Sequence, residues 1–123
     1  MTDIASIKMQ IATYMDECMA LDGVLGCAVV SRTGIPLGKR IEQCLSIPSF
    51  VAMGATILGM AEAAASMMQF SCPVSVFIEV DEGGILIMSA GGDTLITVII
   101  NKSADIQSLK RELAVIADDI GKE

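Results

Sequence analysis

Histidine and tryptophan are absent from this sequence, and aromatic residues make up only 3% of it. Without histidine there can be no Ser-His-Asp triad. The four cysteines form no C-x-x-C pair and have no histidine to help complete a zinc site. A GxxxxGK[ST] phosphate-binding loop is also missing. We therefore expect a non-enzymatic protein with no catalytic residue, no cofactor and no metal, and we interpret the cysteines as reduced core residues.

Positive charge is scarce. The net charge is -7, which disfavours nucleic acid as a partner. The first ten residues contain Asp3 and lack a basic segment followed by an apolar one, so they do not resemble a secretory signal, and we expect a cytoplasmic location. At 123 residues the chain is long enough for one domain with its own core, which we expect to span residues 1–123.

No lysine or arginine lies between residues 41 and 100, and Glu62 is the only charge in the helical run at residues 48–69. A helix without a polar side must be covered by lipid, by the rest of the protein or by another copy. Lipid is disfavoured because the basic and aromatic residues that anchor spanning helices are missing, and because Glu62 would sit mid-membrane without a basic partner. We expect no membrane insertion.

This helical run has two sides that differ in size rather than in polarity. At 100° per residue, the border between the sides holds Glu62 and Gln69. The bulky side, which we expect to pack on a sheet, holds Phe50, Val51, Met53, Ile57, Leu58, Met60, Met67 and Met68. The small side would let another backbone approach closely, and it holds Ala52, Ala55, Thr56, Gly59, Ala63 and Ser66. An alanine-rich solvent face is the alternative, but glycines at positions 54 and 59 are poor helix formers.

Periodicity predicts the other elements. A first helix carries an apolar stripe and ends near Gly23. Strands follow at residues 24–30 and 35–41, and three more at 74–80, 85–90 and 94–100 are joined by turn-forming residues. A last helix begins after a cap at Ser103 or Asp105. The stripes of the two flanking helices are Ile4, Ile7, Ile11, Met15 and Cys18, and Ile106, Leu109, Leu113, Ile116 and Ile120. The order αββαβββα predicts an α/β (α+β) fold, in which one five-stranded antiparallel sheet carries helices on both faces.

That order and the passage GVLGCAVVSRTGIPL at residues 23–37 resemble the roadblock/dynein light chain family. The central helix, residues 75–100 and the closing helix extend the resemblance over nearly the whole chain. One departure is Thr33, where relatives often carry aspartate, although Gly34 still supplies the backbone freedom of the turn. The resemblance implies a profilin-like sheet with the first hairpin beside the last strand and residues 74–80 at the other edge.

The resemblance also implies function. Members of the family are small dimeric platforms, many of which bind or regulate small Ras-like GTPases or serve in motor and scaffold complexes. The strand at residues 74–80 carries a single charge, Glu79, and would need pairing as a sheet edge. We expect a homodimer whose interface contains Val74, Val76, Ile78, Val80, Ala52, Thr56, Gly59 and Ala63. We expect a GTPase to contact Glu62, Ser66 and Gln69.

Other interpretations remain open. Arg32 could act as an arginine finger toward a bound GTPase, although a plain hairpin tip is the simpler interpretation. The chain could instead be a small-molecule sensor whose methionine-rich helix lines a pocket. It could also be a purely structural subunit of a larger assembly.

Overall fold

The computed structural model describes residues 4–122, with side chains from residue 9 onward. Within this range, three helices and five strands follow one another in the predicted order. They are α1 (Ile4–Met19), β1 (Val24–Ser31), β2 (Pro36–Arg40), α2 (Ile47–Met67), β3 (Ser75–Val80), β4 (Gly83–Ser89), β5 (Thr94–Asn101) and α3 (Ile106–Gly121). The predicted α+β class and element order are confirmed.

All five strands form one antiparallel sheet in the order β2-β1-β5-β4-β3. The first hairpin therefore lies beside the last strand, as the resemblance implied. β2 contains Pro36 and Lys39 and forms one edge, where such residues discourage further pairing. β3 contains neither residue type and forms the other edge.

Two hydrophobic cores lie on opposite faces of the sheet. On one face, α1 and α3 cover β-strand residues such as Ile96 and Val98, and the stripe residues Leu109 and Leu113 are buried there. On the other face, α2 is the one described helix that packs against the sheet, through Val51 and Leu58 among others. Successive strand side chains point to opposite faces, so β5 is apolar on both because both are covered.

Helix ends follow local capping. Ser46 caps α2, and its hydroxyl accepts a hydrogen bond of 3.4 Å from Ser49 N–H. Asp105, rather than Ser103, caps α3. The prediction that α1 stops near Asp22 and Gly23 placed its end too late, because α1 ends at Met19 and a turn intervenes. Gly23 has a φ of 92° and leads directly into β1. The side chains of the predicted stripe residues Ile4 and Ile7 lie outside the described part of the chain.

The predicted bulky side of α2 does not face the sheet as a whole. Val51 and Leu58 are fully buried, but Met53, Met60, Met67 and Met68 are 61–85% exposed. Gly54, from outside the predicted bulky set, is buried against the sheet instead. The prediction that these methionines pack on the sheet was wrong. A helix that is apolar on all sides has no polar face, so its sequence does not show which side is turned toward the sheet. In the rotation that the helix adopts, Gly54 lies against Thr97 of the sheet.

The interpretation of the cysteines holds for two of the four. Cys18 and Cys27 are fully buried, whereas Cys44 and Cys72 are exposed. Hydrogen bonding with Cys27, followed by burial, raises the pKa of the Cys18 thiol. The Cys27 thiol also lies within 3.8 Å of the Met15 carbonyl oxygen as a weak donor. Cys18, with its raised pKa, is therefore a packing group and not a nucleophile.

Candidate functional site

The side of α2 that faces away from the sheet is apolar and uncovered. We call it the outer face, and its exposed residues include Ala52, Met53, Thr56, Gly59, Met60, Ala63 and Met67. The Thr56 hydroxyl donates to the Ala52 carbonyl at 3.0 Å, so its one donor is satisfied within the helix. The side chains of the outer face therefore present no unpaired hydrogen-bond donor to a partner that covers them.

Within the described residues, α2 is the one helix long and apolar enough to cross a membrane. Only 17% of its most apolar 18-residue stretch is buried in the protein. Its length and composition have another explanation in this fold. Val51 and Leu58 bury one side of the helix on the sheet, and Glu62 has a basic partner within the chain. One side of the helix is therefore used in the core, and the other side forms the outer face.

β3 forms a free edge of the sheet on which α2 packs. Among the described residues, β3 pairs only with β4, which leaves its other edge unpaired. Val80 is 49% exposed, and Val74 precedes the strand and is 68% exposed. Val76 and Ile78 instead pack partly against the core beneath α2. The predicted interface residues therefore divide between an exposed set and two residues that also stabilise the monomer.

Glu62 is not an isolated charge. Arg32, in the turn between β1 and β2, donates from Nη1 to Glu62 Oε1 at 2.8 Å and from Nη2 to Ser89 Oγ at 2.9 Å. The side chains of Arg32 and Glu62 are only 24% and 29% exposed. The Arg32 Nε is buried without a hydrogen-bond partner in the described part of the chain. Arg32 therefore holds α2 to the sheet and does not project as a free finger.

The other two predicted partner-binding residues, Ser66 and Gln69, are exposed at the C-terminal end of α2. Gln69 N–H bonds to Ser66 O at 3.0 Å, and Phe70 N–H bonds to Ala65 O at 2.9 Å. These two bonds form a Schellman motif, whose central residue is usually glycine because its backbone is left-handed. Gln69 adopts that conformation with a φ of 60°. Gln69 therefore carries a side chain at a backbone position where glycine is preferred.

An apolar pocket of about 200 Å³ opens between α2 and the β3 side of the sheet. Phe50 and Ile57 of α2 line it, together with Ile78 and Ile85 of the sheet. Thr97 of β5 also contributes to the lining but is 1% exposed, and its hydroxyl is buried against Gly54 with no hydrogen-bond partner among residues 4–122. An unsatisfied buried hydroxyl costs about 1–3 kcal/mol. Nothing in the sequence singled out this group, because threonine is an ordinary strand residue.

No group of three or more His, Cys, Asp or Glu side chains that could hold a metal ion occurs within the described residues. The turn carboxylates Asp81 and Glu82 are exposed.

A family model matches most of the chain. The Roadblock/LC7 domain model matches residues 11–100. The chain belongs to the Roadblock/LC7 family. This match confirms the predicted resemblance, and it spans every strand of the sheet except the last residue of β5.

Solved structures support the same fold. A structure described as MglB with tetrameric arrangement is 12% identical, covers 99% of this chain and 91% of its own, and gives a TM-score of 0.86. Gliding protein MglB from Thermus thermophilus is 11% identical, with coverage of 99% and 92% and a TM-score of 0.85. Profilin II from Acanthamoeba castellanii is 16% identical, with coverage of 89% and 95% and a TM-score of 0.67. Identities this low show the fold alone. No curated protein matches the sequence significantly.

Proposed function

We propose that this Roadblock/LC7 domain is a non-enzymatic, cytoplasmic homodimer that serves as a platform for a small Ras-like GTPase or for assembly of a scaffold complex. Membership of the family supports this role, because the resemblance implied dimeric platforms of that kind. The observation that carries the proposal is the outer face of α2, an exposed apolar helix surface on a sheet whose β3 edge is unpaired among the described residues. Large exposed apolar patches commonly mark protein interfaces.

A second copy fits this surface. A two-fold axis perpendicular to the sheet would pair the two β3 edges and extend the sheet across the dimer. The same axis would place both α2 helices on one side of the sheet and antiparallel to each other. Residues Met53, Thr56, Met60, Ala63 and Met67 recur at alternating three- and four-residue steps, which is the spacing of helices that pack side by side.

The GTPase would then dock on the α2 side, because α1 and α3 already cover the other side of the sheet. Ser66 and Gln69 are exposed there and supply polar contacts at the rim. A partner that lies across the two-fold axis excludes a second copy of itself, so the expected ratio is one GTPase per dimer. Glu62 contributes to this surface together with Arg32, as a neutralised pair rather than as a free charge.

The dimer is tested with Gly59→Leu. A side-chain carbon at Gly59 meets nothing within 4 Å in the monomer, so the variant should fold and still separate two packed helices. Val115→Leu, at a position 63% exposed on α3, is a matched control for added apolar surface. Light scattering at micromolar concentration should show a monomer for Gly59→Leu and a dimer for the control. An unchanged dimer would place the interface elsewhere.

GTPase binding is tested by titration calorimetry with candidate GTPases from the same cell, each in its GDP and GTP states. Hydrolysis rates with and without this protein then separate regulation from simple binding. We expect one GTPase per dimer and a preference for one nucleotide state. If no GTPase binds while the protein remains dimeric, the GTPase role is wrong and the scaffold role stands.

A further inference from the structure

Methionine is confined to one side of α2, a helix that the structure describes throughout. The exposed large apolar side chains of this helix are Met53, Met60 and Met67, which are 61%, 66% and 85% exposed. The large side chains that pack against the sheet are of other types, namely Ile47, Phe50, Val51, Ile57 and Leu58. Every large apolar side chain of the outer face therefore carries a thioether, a group that mild oxidants modify.

The three methionines follow one line along the helix. They are seven residues apart, with Thr56 and Ala63 between them on the same stripe, and we call these five residues the seam. In the dimer proposed above, the methionines supply the large side chains that fill the space between the two α2 helices. We propose, on the basis of that dimer, that Met53, Met60 and Met67 form an oxidation site, and that their conversion to methionine sulfoxide separates the two subunits.

Oxidation changes the seam from apolar to polar. Hydrogen peroxide transfers one oxygen atom to the thioether sulfur, so the O–O bond breaks, an S=O bond forms, the sulfur loses two electrons and water is released. A sulfoxide oxygen needs a hydrogen-bond donor when it is buried. Thr56 is the one seam residue with a donor side chain, and its hydroxyl already donates to the Ala52 carbonyl at 3.0 Å. Packed helices would therefore bury unpaired polar atoms, which is unfavourable.

The free subunit and the dimer differ in how far they expose this site. In the subunit, the three methionines are 61–85% exposed, whereas Met15 and Met88 in the core are 4% and 3% exposed. Two packed α2 helices would cover the seam, so the oxidant reaches it in the dissociated subunit. A modification that the free subunit alone undergoes, and that then prevents reassociation, shifts the population toward monomers.

The experiment compares the purified protein before and after peroxide treatment, in a Cys44→Ser, Cys72→Ser background that removes the exposed thiols. Mass spectrometry counts the sulfoxides at each methionine, and light scattering over a range of concentrations measures the dissociation constant of the dimer. We expect this constant to rise at least about 100-fold once all three positions are oxidised. Methionine sulfoxide reductases should restore the dimer. Oxidation of the seam should also slow as protein concentration rises, while oxidation of Met9 should not.

Matched variants assign the effect to the seam. The triple variant Met53→Leu, Met60→Leu, Met67→Leu keeps an apolar surface of similar size that cannot take up oxygen, so it should stay dimeric in peroxide. Met9→Leu changes a methionine that is 71% exposed on α1 and should respond like the parent. Circular dichroism shows that each protein stays folded. The proposal is overturned if the oxidised parent stays dimeric or if the triple variant separates in peroxide. A parent that is monomeric before treatment overturns the proposed dimer itself, and this inference with it.

Discussion

Arg32 Nη1 lies 2.8 Å from Glu62 Oε1, and this contact joins the turn after β1 to the middle of α2. It is the one charge contact that α2 makes in the described part of the chain, because Glu62 is its only ionisable side chain. The pair is more than two-thirds buried on each side. Its rupture should therefore affect the attachment of α2 to the sheet as well as any partner surface.

Charge reversal tests this contact. Glu62→Lys places two positive charges together at this largely buried site, and we expect the free energy of unfolding to fall by about 1–3 kcal/mol. Combining Glu62→Arg with Arg32→Glu restores opposite charges and should recover part of the loss. Urea denaturation measures both. Equal losses in the single and double variants would show that the pair contributes nothing. Because Glu62→Lys perturbs the fold, Ser66 and Gln69 are better positions for testing GTPase docking.

Gln69 is strained at the end of α2. Gln69→Gly should raise the free energy of unfolding by about 1 kcal/mol, because glycine adopts a φ near 60° without a steric penalty. Gln69→Ala removes the same side chain and keeps the strain, so it should not stabilise. If the side chain contacts a GTPase, both variants should bind it more weakly. A stability gain in Gln69→Ala equal to that in Gln69→Gly would contradict the strain argument.

Gly91 and Gly92 form a matched pair in the turn between β4 and β5. Gly91 has a φ of 86°, and a side-chain carbon there would lie 2.9 Å from the Gly121 Cα at the end of α3. We expect Gly91→Ala to lower the free energy of unfolding by about 2–4 kcal/mol through backbone strain and displacement of α3. Gly92→Ala meets nothing within 4 Å and should cost much less. Thermal melts of the two variants compare them directly.

The cysteines should separate into two classes. Cys18→Ser and Cys27→Ser each place a hydroxyl in the core and should lower the free energy of unfolding by about 1–3 kcal/mol. Cys44→Ser and Cys72→Ser change exposed side chains and should stay within about 0.5 kcal/mol of the parent. Partner binding should survive in all four. Loss of binding in a folded variant would give the affected thiol a functional role.

Asp105 gives α3 a pH-dependent cap. The Ser108 hydroxyl donates to Asp105 Oδ2, and this bond, followed by backbone N–H donors, lowers the pKa of the carboxyl. A lowered folded pKa gives stability that is present above the unfolded pKa of about 3.9 and is lost as pH falls through the folded value. Asp105→Asn keeps a capping oxygen that does not titrate. The difference in melting temperature between parent and variant should therefore change between pH 5 and pH 2. A difference that stays constant over this range would show that the Asp105 cap does not contribute to the pH dependence of stability.

Periodicity in the sequence was sufficient to determine the order of elements. Apolar residues at three- and four-residue steps in α3, and Pro36 and Lys39 in β2, each carry their structural meaning locally. An apolar stripe on a helix must be buried against a core, and a strand that contains proline must lie at the edge of a sheet. The family resemblance added the strand order, which local patterns cannot give, because strand pairing joins residues that are far apart in the chain.

Only the tertiary structure decided the rotation of α2 and the groups that surround it. Met53 and Met60 are as apolar as Val51 and Leu58, so hydrophobicity could not tell the exposed residues from the buried ones. Gly54 rather than a methionine lies against Thr97 of the sheet, a contact that no local pattern indicated. Arg32 and Glu62 are thirty residues apart and meet only because the sheet brings them together. Burial and pairing at these sites depend on distances that exist only in the folded chain.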